Sequence, residues 1–170
     1  MLGENEMELE ASRSEVMANQ AMFPDVVGTF LSGEQVRFTD LMDGAVSVMC
    51  MAFYQSQSRL LRSWREEFGE AAGVRVTDVM VMPEYNPVYR QYVDNGLRIQ
   101  TSPADYATTA TLYVDKREFL SALGLRDDSR PYMMLFDDAR RLRWVSSARF
   151  DVMGLRDALG GLSGRIGLAR

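Results

Sequence analysis

The segment that follows the most apolar run of the chain carries hydroxyl and amide groups but no thiol, and it reads AFYQSQSR at positions 52–59. A serine nucleophile needs a neighbouring base to take its proton. The chain contains no histidine, and its one lysine, Lys116, is distant in sequence. We therefore expect Ser56 or Ser58 to cap the helix that follows, because a serine oxygen can accept a hydrogen bond from the first helical N–H groups.

Cys50 is the only cysteine, and it lies within the apolar run AVSVMCMAFY at positions 45–54. This run is rich in β-branched and aromatic residues, which indicates a strand covered on both faces. A reactive thiolate needs exposure and a nearby positive charge, so we expect Cys50 to be a buried, unreactive side chain. A thiol enzyme that uses Cys50 alone is the less favoured alternative.

The residue inventory limits the chemistry further. With no histidine and one cysteine, the chain lacks the residues for a usual zinc site, a Ser-His-Asp triad, a Cys-His dyad or an internal disulfide. The acidic pairs Asp127-Asp128 and Asp137-Asp138 have a sufficient role in turns, and neither has the further ligands that a divalent metal requires. We therefore expect no catalytic residue, no metal and no cofactor, and predict that the protein is not an enzyme.

The charge distribution argues against nucleic-acid binding. Of the net charge of −5, residues 1–20 contribute −4, with Glu4, Glu6, Glu8, Glu10 and Glu15 against Arg13. The nearly neutral remainder offers no basic field for a phosphate backbone, so we predict no direct nucleic-acid binding. No stretch reaches the ~20 apolar residues of a membrane span, and we expect the protein to be peripheral to a membrane at most.

Hydrophobic periodicity predicts alternating strands and helices without internal repeats. The predicted strands cover 26–31, 35–38, 45–54, 74–82, 111–114, 131–136 and 141–147. The predicted helices are an acidic arm at 4–20, a helix at 58–68, a short one at about 86–95 that ends near Gly96, one that Asp115 caps and Gly124 ends, and a last one that Asp151 caps and that frays from Gly160. This order makes an α/β domain at 23–162, with an acidic arm at 1–22 and a glycine-rich tail at 163–170.

Four segments in a fixed order carry a resemblance. They are FPDVVGTFLSGEQVRF at 23–38, the apolar strand followed by Ser63-Trp64, TLYVDKREFLSALGL at 111–125 and PYMMLFDDARRLRW at 131–144. The span from Phe23 to Leu162 thereby resembles the thioredoxin-like, peroxiredoxin-related superfamily, and within it is similar to the mitochondrial ATP synthase assembly factor family numbered ten. The resemblance implies a thioredoxin-like fold, with a central mixed sheet flanked by helices and an added N-terminal hairpin. It also implies that a reactive cysteine would stand just after the first buried strand, where this sequence reads AFYQSQSR and has no thiol.

The same resemblance carries expectations about function. It implies a protein on the matrix side of the inner mitochondrial membrane that assists assembly of the membrane sector of ATP synthase, with no established catalytic residue. The single thiol fits such a reducing compartment. The N-terminus is acidic, unlike a transit peptide, and it lacks the apolar core of a secretory signal. The alternative is a fixed structural subunit of a large mitochondrial assembly, such as a respiratory complex, the ATP synthase or the mitochondrial ribosome.

A protein that binds a partner without catalysing a reaction has an exposed surface as its functional site. Pro131 stands where a thioredoxin fold keeps a cis-proline; it is either a trans proline at the start of a strand or a cis proline that presents Arg130 and the backbone to an extended peptide. An Arg-Trp pair at 143–144 suits an interface anchor, although tryptophan in a strand also suits a core. Three tyrosines at 85–92 suit a partner surface or a cap on the sheet. The candidate partner-binding residues are Tyr54, Ser56, Ser58, Tyr85, Tyr89, Tyr92, Arg130, Pro131, Arg143 and Trp144.

Overall fold

A computed structural model describes residues 21–68, 73–147 and 152–166. The strands are β1 (Val27–Phe30), β2 (Gln35–Arg37), β3 (Val46–Ala52), β4 (Val74–Met82), β5 (Thr109–Tyr113), β6 (Tyr132–Phe136) and β7 (Leu142–Ser146). The helices are α1 (Phe38–Met42), α2 (Ser58–Phe68), α3 (Pro87–Gln100), α4 (Lys116–Ala122) and α5 (Val152–Ile166), with 3₁₀ turns at Gln55–Gln57 and Pro103–Asp105. The predicted acidic helix at 4–20, the cap at Asp151 and the end of the tail at 167–170 lie outside the described residues.

The strands of the described chain form one mixed sheet in the order β2-β1-β5-β4-β3-β6-β7. β3 and β4 pair in parallel, as do β4 and β5, whereas β6 runs antiparallel to both β3 and β7. The hairpin of β1 and β2 joins the sheet through the antiparallel pairing of β1 with β5. The predicted mixed sheet and the two predicted hairpins are confirmed.

The sheet separates two cores, because every side chain of the central strand β3 is buried. We call one the α2-side core, where Leu61 and Trp64 of α2, Leu97 of α3 and Leu155 of α5 pack on the sheet. The other is the α4-side core, where helices α1 and α4 pack with Phe23, Phe53 and Phe136. None of the helices in the described part of the chain has the length and hydropathy of a membrane span.

Two helices are longer than predicted. α3 passes Gly96 and ends at Gln100, because the buried Leu97 and a hydrogen bond of 2.8 Å from Arg98 Nε to the Leu31 carbonyl hold its last turn. These contacts outweigh the roughly 1 kcal/mol that a glycine costs within a helix. α5 likewise continues past Gly160 to Ile166, since Leu162 is buried in the α2-side core.

Candidate partner-binding site

Polar contacts fix the loop between β3 and α2, which contains no thiol. The Tyr54 hydroxyl donates a hydrogen bond to Asp128 Oδ2 at 2.7 Å. Lys116 Nζ lies 4.2 Å from the centroid of the Tyr54 ring and 3.6 Å from Asp128 Oδ2, and it donates to the Phe53 carbonyl at 2.9 Å. The cation therefore attracts the ring face and the carboxylate at once.

Gln57 completes this arrangement. Its Oε1 accepts a hydrogen bond from the Phe53 N–H at 2.8 Å, and its Nε2 donates to the Asp128 carbonyl at 3.0 Å. Phe53 is fully buried, so its N–H depends on this partner. We call Tyr54, Gln57, Lys116 and Asp128 the loop clamp, since together they join the β3–α2 loop to the loop before β6.

Cys50 lies in the middle of β3 and packs in the α2-side core, with none of its surface exposed. Burial raises the pKa of the thiol well above its ordinary value, and the nearby Asp78 carboxylate raises it further. The thiol is therefore protonated and inaccessible. The prediction of a buried Cys50 is confirmed.

The carboxylate that faces Cys50 belongs to a partly buried ion pair. Cys50 and Asp78 are opposite each other in the β3–β4 register, and Arg65 Nη1 lies 3.0 Å from Asp78 Oδ2. Burial raises the pKa of Asp78 to about 6, although Arg65 opposes that rise. Arg65 also donates to Thr108 Oγ1 at 3.0 Å, so the pair ties α2 to the sheet.

The two serines of the loop do not cap α2 as predicted. The Ser58 hydroxyl donates to the Gln55 carbonyl at 2.7 Å rather than accepting from a helical N–H. The reason is that the 3₁₀ turn Gln55–Gln57 runs directly into α2, and the residue before that turn, Tyr54, makes no side-chain cap either. Ser56 is exposed on the turn.

Pro131 follows a trans peptide bond, which decides between the two readings that the sequence left open. The proline is buried and Arg130 is exposed. The strand that begins after it, β6, is paired on one side with β3 and on the other with β7. Along β6 itself, an extended peptide therefore finds no free backbone edge.

Arg143 and Trp144 lie on β7, at one edge of the sheet. Arg143 Nε donates to Asp137 Oδ2 at 2.7 Å, and the arginine side chain keeps 27% of its surface exposed. Asp137 Oδ1 accepts from the N–H groups of Ala139 and Arg141, which confirms its predicted role in the turn. Trp144 is half-buried against the α2-side core. Both side chains thus serve the fold while presenting part of their surface.

Tyr85, Tyr89 and Tyr92 form a row of ring contacts, in which Tyr85 precedes α3 and the other two lie on it. The ring centroids of Tyr85 and Tyr89 are 4.5 Å apart, and those of Tyr89 and Tyr92 are 5.9 Å apart. Tyr92 is 72% exposed, and Val88 and Ile99 of the same helix are more exposed still. We call Val88, Tyr89, Tyr92 and Ile99 the α3 surface. Exposed apolar groups on one helix are typical of a protein–protein contact.

Sequence reasoning missed most of the loop clamp. Asp128 was assigned a turn role, whereas its side chain pairs with Tyr54 and Lys116. Its neighbour Asp127 does fill such a role, since Asp127 Oδ1 accepts from the Ser129 N–H at 3.0 Å. The single lysine of an arginine-rich chain indicates a residue of interest, but local spacing does not show that Asp128 is its partner.

In the described residues, no group of three acidic or cysteine side chains is arranged to hold a metal ion.

Comparisons with solved structures identify the fold of this chain. No protein-family model matches it, and no curated protein does. Among solved structures, the exposed lipoprotein thioredoxin Etrx1 from Streptococcus pneumoniae has a TM-score of 0.57 at 16% identity, covering 82% of this chain and 100% of that one. BsSco, a member of the Sco family of cytochrome c oxidase assembly proteins, has a TM-score of 0.57 at 10% identity, covering 88% and 95%. Copper-bound ScoI from Arabidopsis thaliana has a TM-score of 0.53 at 16% identity, covering 85% and 99%.

The chain therefore has a thioredoxin-like fold, as predicted from its sequence. At these identities the similarity extends to the fold alone. In this chain, Tyr54 and Gln57 of the β3–α2 loop are fixed by the loop clamp, and the only thiol is buried.

Proposed function

We propose that this chain is a non-catalytic thioredoxin-like protein that acts by binding a protein partner, as an assembly factor or chaperone. The observation that carries the proposal is the β3–α2 loop, which holds Tyr54 and Gln57 in a closed polar network and has no thiol. The one cysteine is fully buried with a raised pKa. A fold without an accessible thiolate retains its surfaces, and binding is the use that these surfaces support.

We also propose a particular setting, the membrane sector of mitochondrial ATP synthase on the matrix side of the inner membrane. The support is the resemblance of four ordered segments between Phe23 and Leu162 to the assembly factor family numbered ten. The Sco family, which BsSco represents, is a family of cytochrome c oxidase assembly proteins. A protein with a thioredoxin-like fold can therefore act in the assembly of a respiratory enzyme.

A fixed subunit of a large mitochondrial assembly is the second candidate, and the α3 surface favours it. Val88 is 80% exposed and Ile99 is 87% exposed. Permanent interfaces are more apolar than transient ones, so such side chains fit a partner that stays bound. Both candidates share the proposal that the protein works by binding.

Affinity purification of the tagged chain, followed by mass spectrometry, tests the proposal and separates its two forms. A transient factor is recovered below the stoichiometry of the complex and is absent from the mature assembly, whereas a fixed subunit stays at a constant ratio through high salt. A thiol probe on the native protein supplies the control. Rapid labelling of native Cys50, with thiol–disulfide exchange activity and no recovered partner, would contradict binding as the function.

A further inference from the structure

An open groove lies between the start of α2 and the end of α3. Its volume is about 510 Å³, and its lining residues are Gln55, Ser56, Ser58, Arg59, Arg62 and Gln100. Each of these side chains is polar, two are cationic, and none is acidic. The groove begins at the 3₁₀ turn Gln55–Gln57, which also supplies Gln57 to the loop clamp, so the groove adjoins the loop that has no thiol.

The two arginines of the groove are available for a ligand. They are exposed and three positions apart on α2, which places them side by side on the helix surface. Arg62 Nη2 donates to the Gln100 carbonyl at 2.8 Å, which holds that guanidinium at the groove and leaves its other N–H groups for a ligand. Within the described residues, neither guanidinium forms an ion pair with a carboxylate of this chain.

We propose that this groove binds an acidic peptide segment of the partner protein. A guanidinium matches a carboxylate with two parallel hydrogen bonds. The amides of Gln55 and Gln100 can donate and accept as a peptide backbone does. In a chain of net charge −5, two adjacent unneutralised arginines form a local attraction for an acidic ligand. The inference rests on the proposed binding function and names the chemistry of the partner.

Fluorescence anisotropy with the full chain tests this inference. The probe is a labelled Glu–Gly repeat peptide, and a Gln–Gly repeat is the uncharged control. We expect the acidic peptide alone to bind, with an affinity that falls as salt rises. Arg59→Gln combined with Arg62→Gln should weaken binding about tenfold or more. The corresponding double lysine variant should recover part of the loss, because it keeps charge without the bidentate geometry.

The control variant is Arg117→Gln on α4, across the sheet from the groove, and it should bind the peptide as the wild type does. Equal peptide affinity in the double Gln variant and the wild type would overturn the inference. So would displacement of the peptide by inorganic phosphate or polyuridylate as readily as by unlabelled peptide, since the site would then be a general anion site. If the double variant loses the peptide but still recovers its partner from cells, the groove assignment fails while the proposed binding function stands.

Discussion

The hydroxyl of Tyr54 donates a hydrogen bond to Asp128 Oδ2 at 2.7 Å and so joins two loops that are 74 residues apart in sequence. Because the carboxylate accepts this hydrogen bond from the protonated hydroxyl, it raises the pKa of Tyr54. Lys116 lies against both groups, over the ring of one and near the carboxylate of the other. The face that a thiol would use is therefore occupied by a fixed contact between loops.

Within the loop clamp, we expect Gln57 to matter more for stability than Tyr54. Gln57→Ala leaves the buried Phe53 N–H without its partner, so the free energy of unfolding should fall by about 1–3 kcal/mol. Tyr54→Phe removes one hydrogen bond at a side chain that is 47% exposed and should cost less than about 1 kcal/mol. Urea denaturation of both variants measures the difference. Equal midpoints would contradict this ranking.

The partly buried Asp78 should lower the free energy of unfolding as pH rises, whereas a carboxyl group with a lowered pKa would raise it. Its pKa is about 6 in the folded protein against 3.8 as the ordinary value. Between about pH 4 and pH 6 the folded state therefore binds more protons than the unfolded chain, so the free energy of unfolding falls as pH rises through this window. Across this window, the titration of Asp78 should lower the free energy of unfolding by about 3 kcal/mol.

Asp78→Asn isolates this effect. Asparagine does not titrate, so the stability difference between wild type and variant should change across the window and remain constant above and below it. Any cost of leaving Arg65 beside a neutral amide adds an offset that does not depend on pH in this range. Chemical denaturation at a series of pH values measures the difference. A difference that stays flat from pH 4 to pH 6 would show that Asp78 titrates normally.

The α3 surface should contribute to partner binding and little to stability. Tyr92→Ser combined with Ile99→Ser changes two exposed side chains, so we expect each to alter the free energy of unfolding by less than about 0.5 kcal/mol. Recovery of the partner by affinity purification should drop sharply. Val27→Thr changes an exposed apolar side chain on β1 and serves as the control. Undiminished recovery with the α3 variant would remove this helix from the interface.

The Arg-Trp pair on β7 should affect both stability and binding. Arg143→Ala deprives Asp137, which is 5% exposed, of its ion pair and should cost about 1.5–3 kcal/mol. We expect Arg143→Ala with Trp144→Ala to weaken partner recovery as well. Circular dichroism must first show that the double variant is folded. Normal recovery by a folded double variant would exclude this edge of the sheet as a contact.

Much of the architecture could be predicted from local pattern. The apolar run at 45–54 predicted the buried strand β3. Helical spacing predicted one inner face of α2 from Leu60, Leu61, Trp64 and Phe68; Leu60 is exposed, and the other three are buried. Asp115 was predicted to cap the helix α4, and its side chain does accept a hydrogen bond from the Glu118 N–H. Each of these features depends on neighbours within a few residues, where periodicity and capping preferences act.

The errors arose where tertiary contacts decide the outcome. α3 continues through Gly96 because Arg98 bonds to the Leu31 carbonyl, a contact that no helical spacing encodes. Ser58 donates to Gln55 because a 3₁₀ turn precedes α2. The loop clamp joins Tyr54 with Lys116 and Asp128 only after β3 and β6 have paired, so its members carry no shared local signal.

The claim that the protein acts by binding without thiol chemistry is tested most directly with Cys50→Ser. Wild type and variant, expressed with the same tag, are compared for partner recovery and stoichiometry by affinity purification and quantitative mass spectrometry. A folded Cys50→Ser protein should recover the same partners in the same ratio as the wild type. Loss of the partners by a folded Cys50→Ser protein would show that the thiol is needed and would contradict the claim.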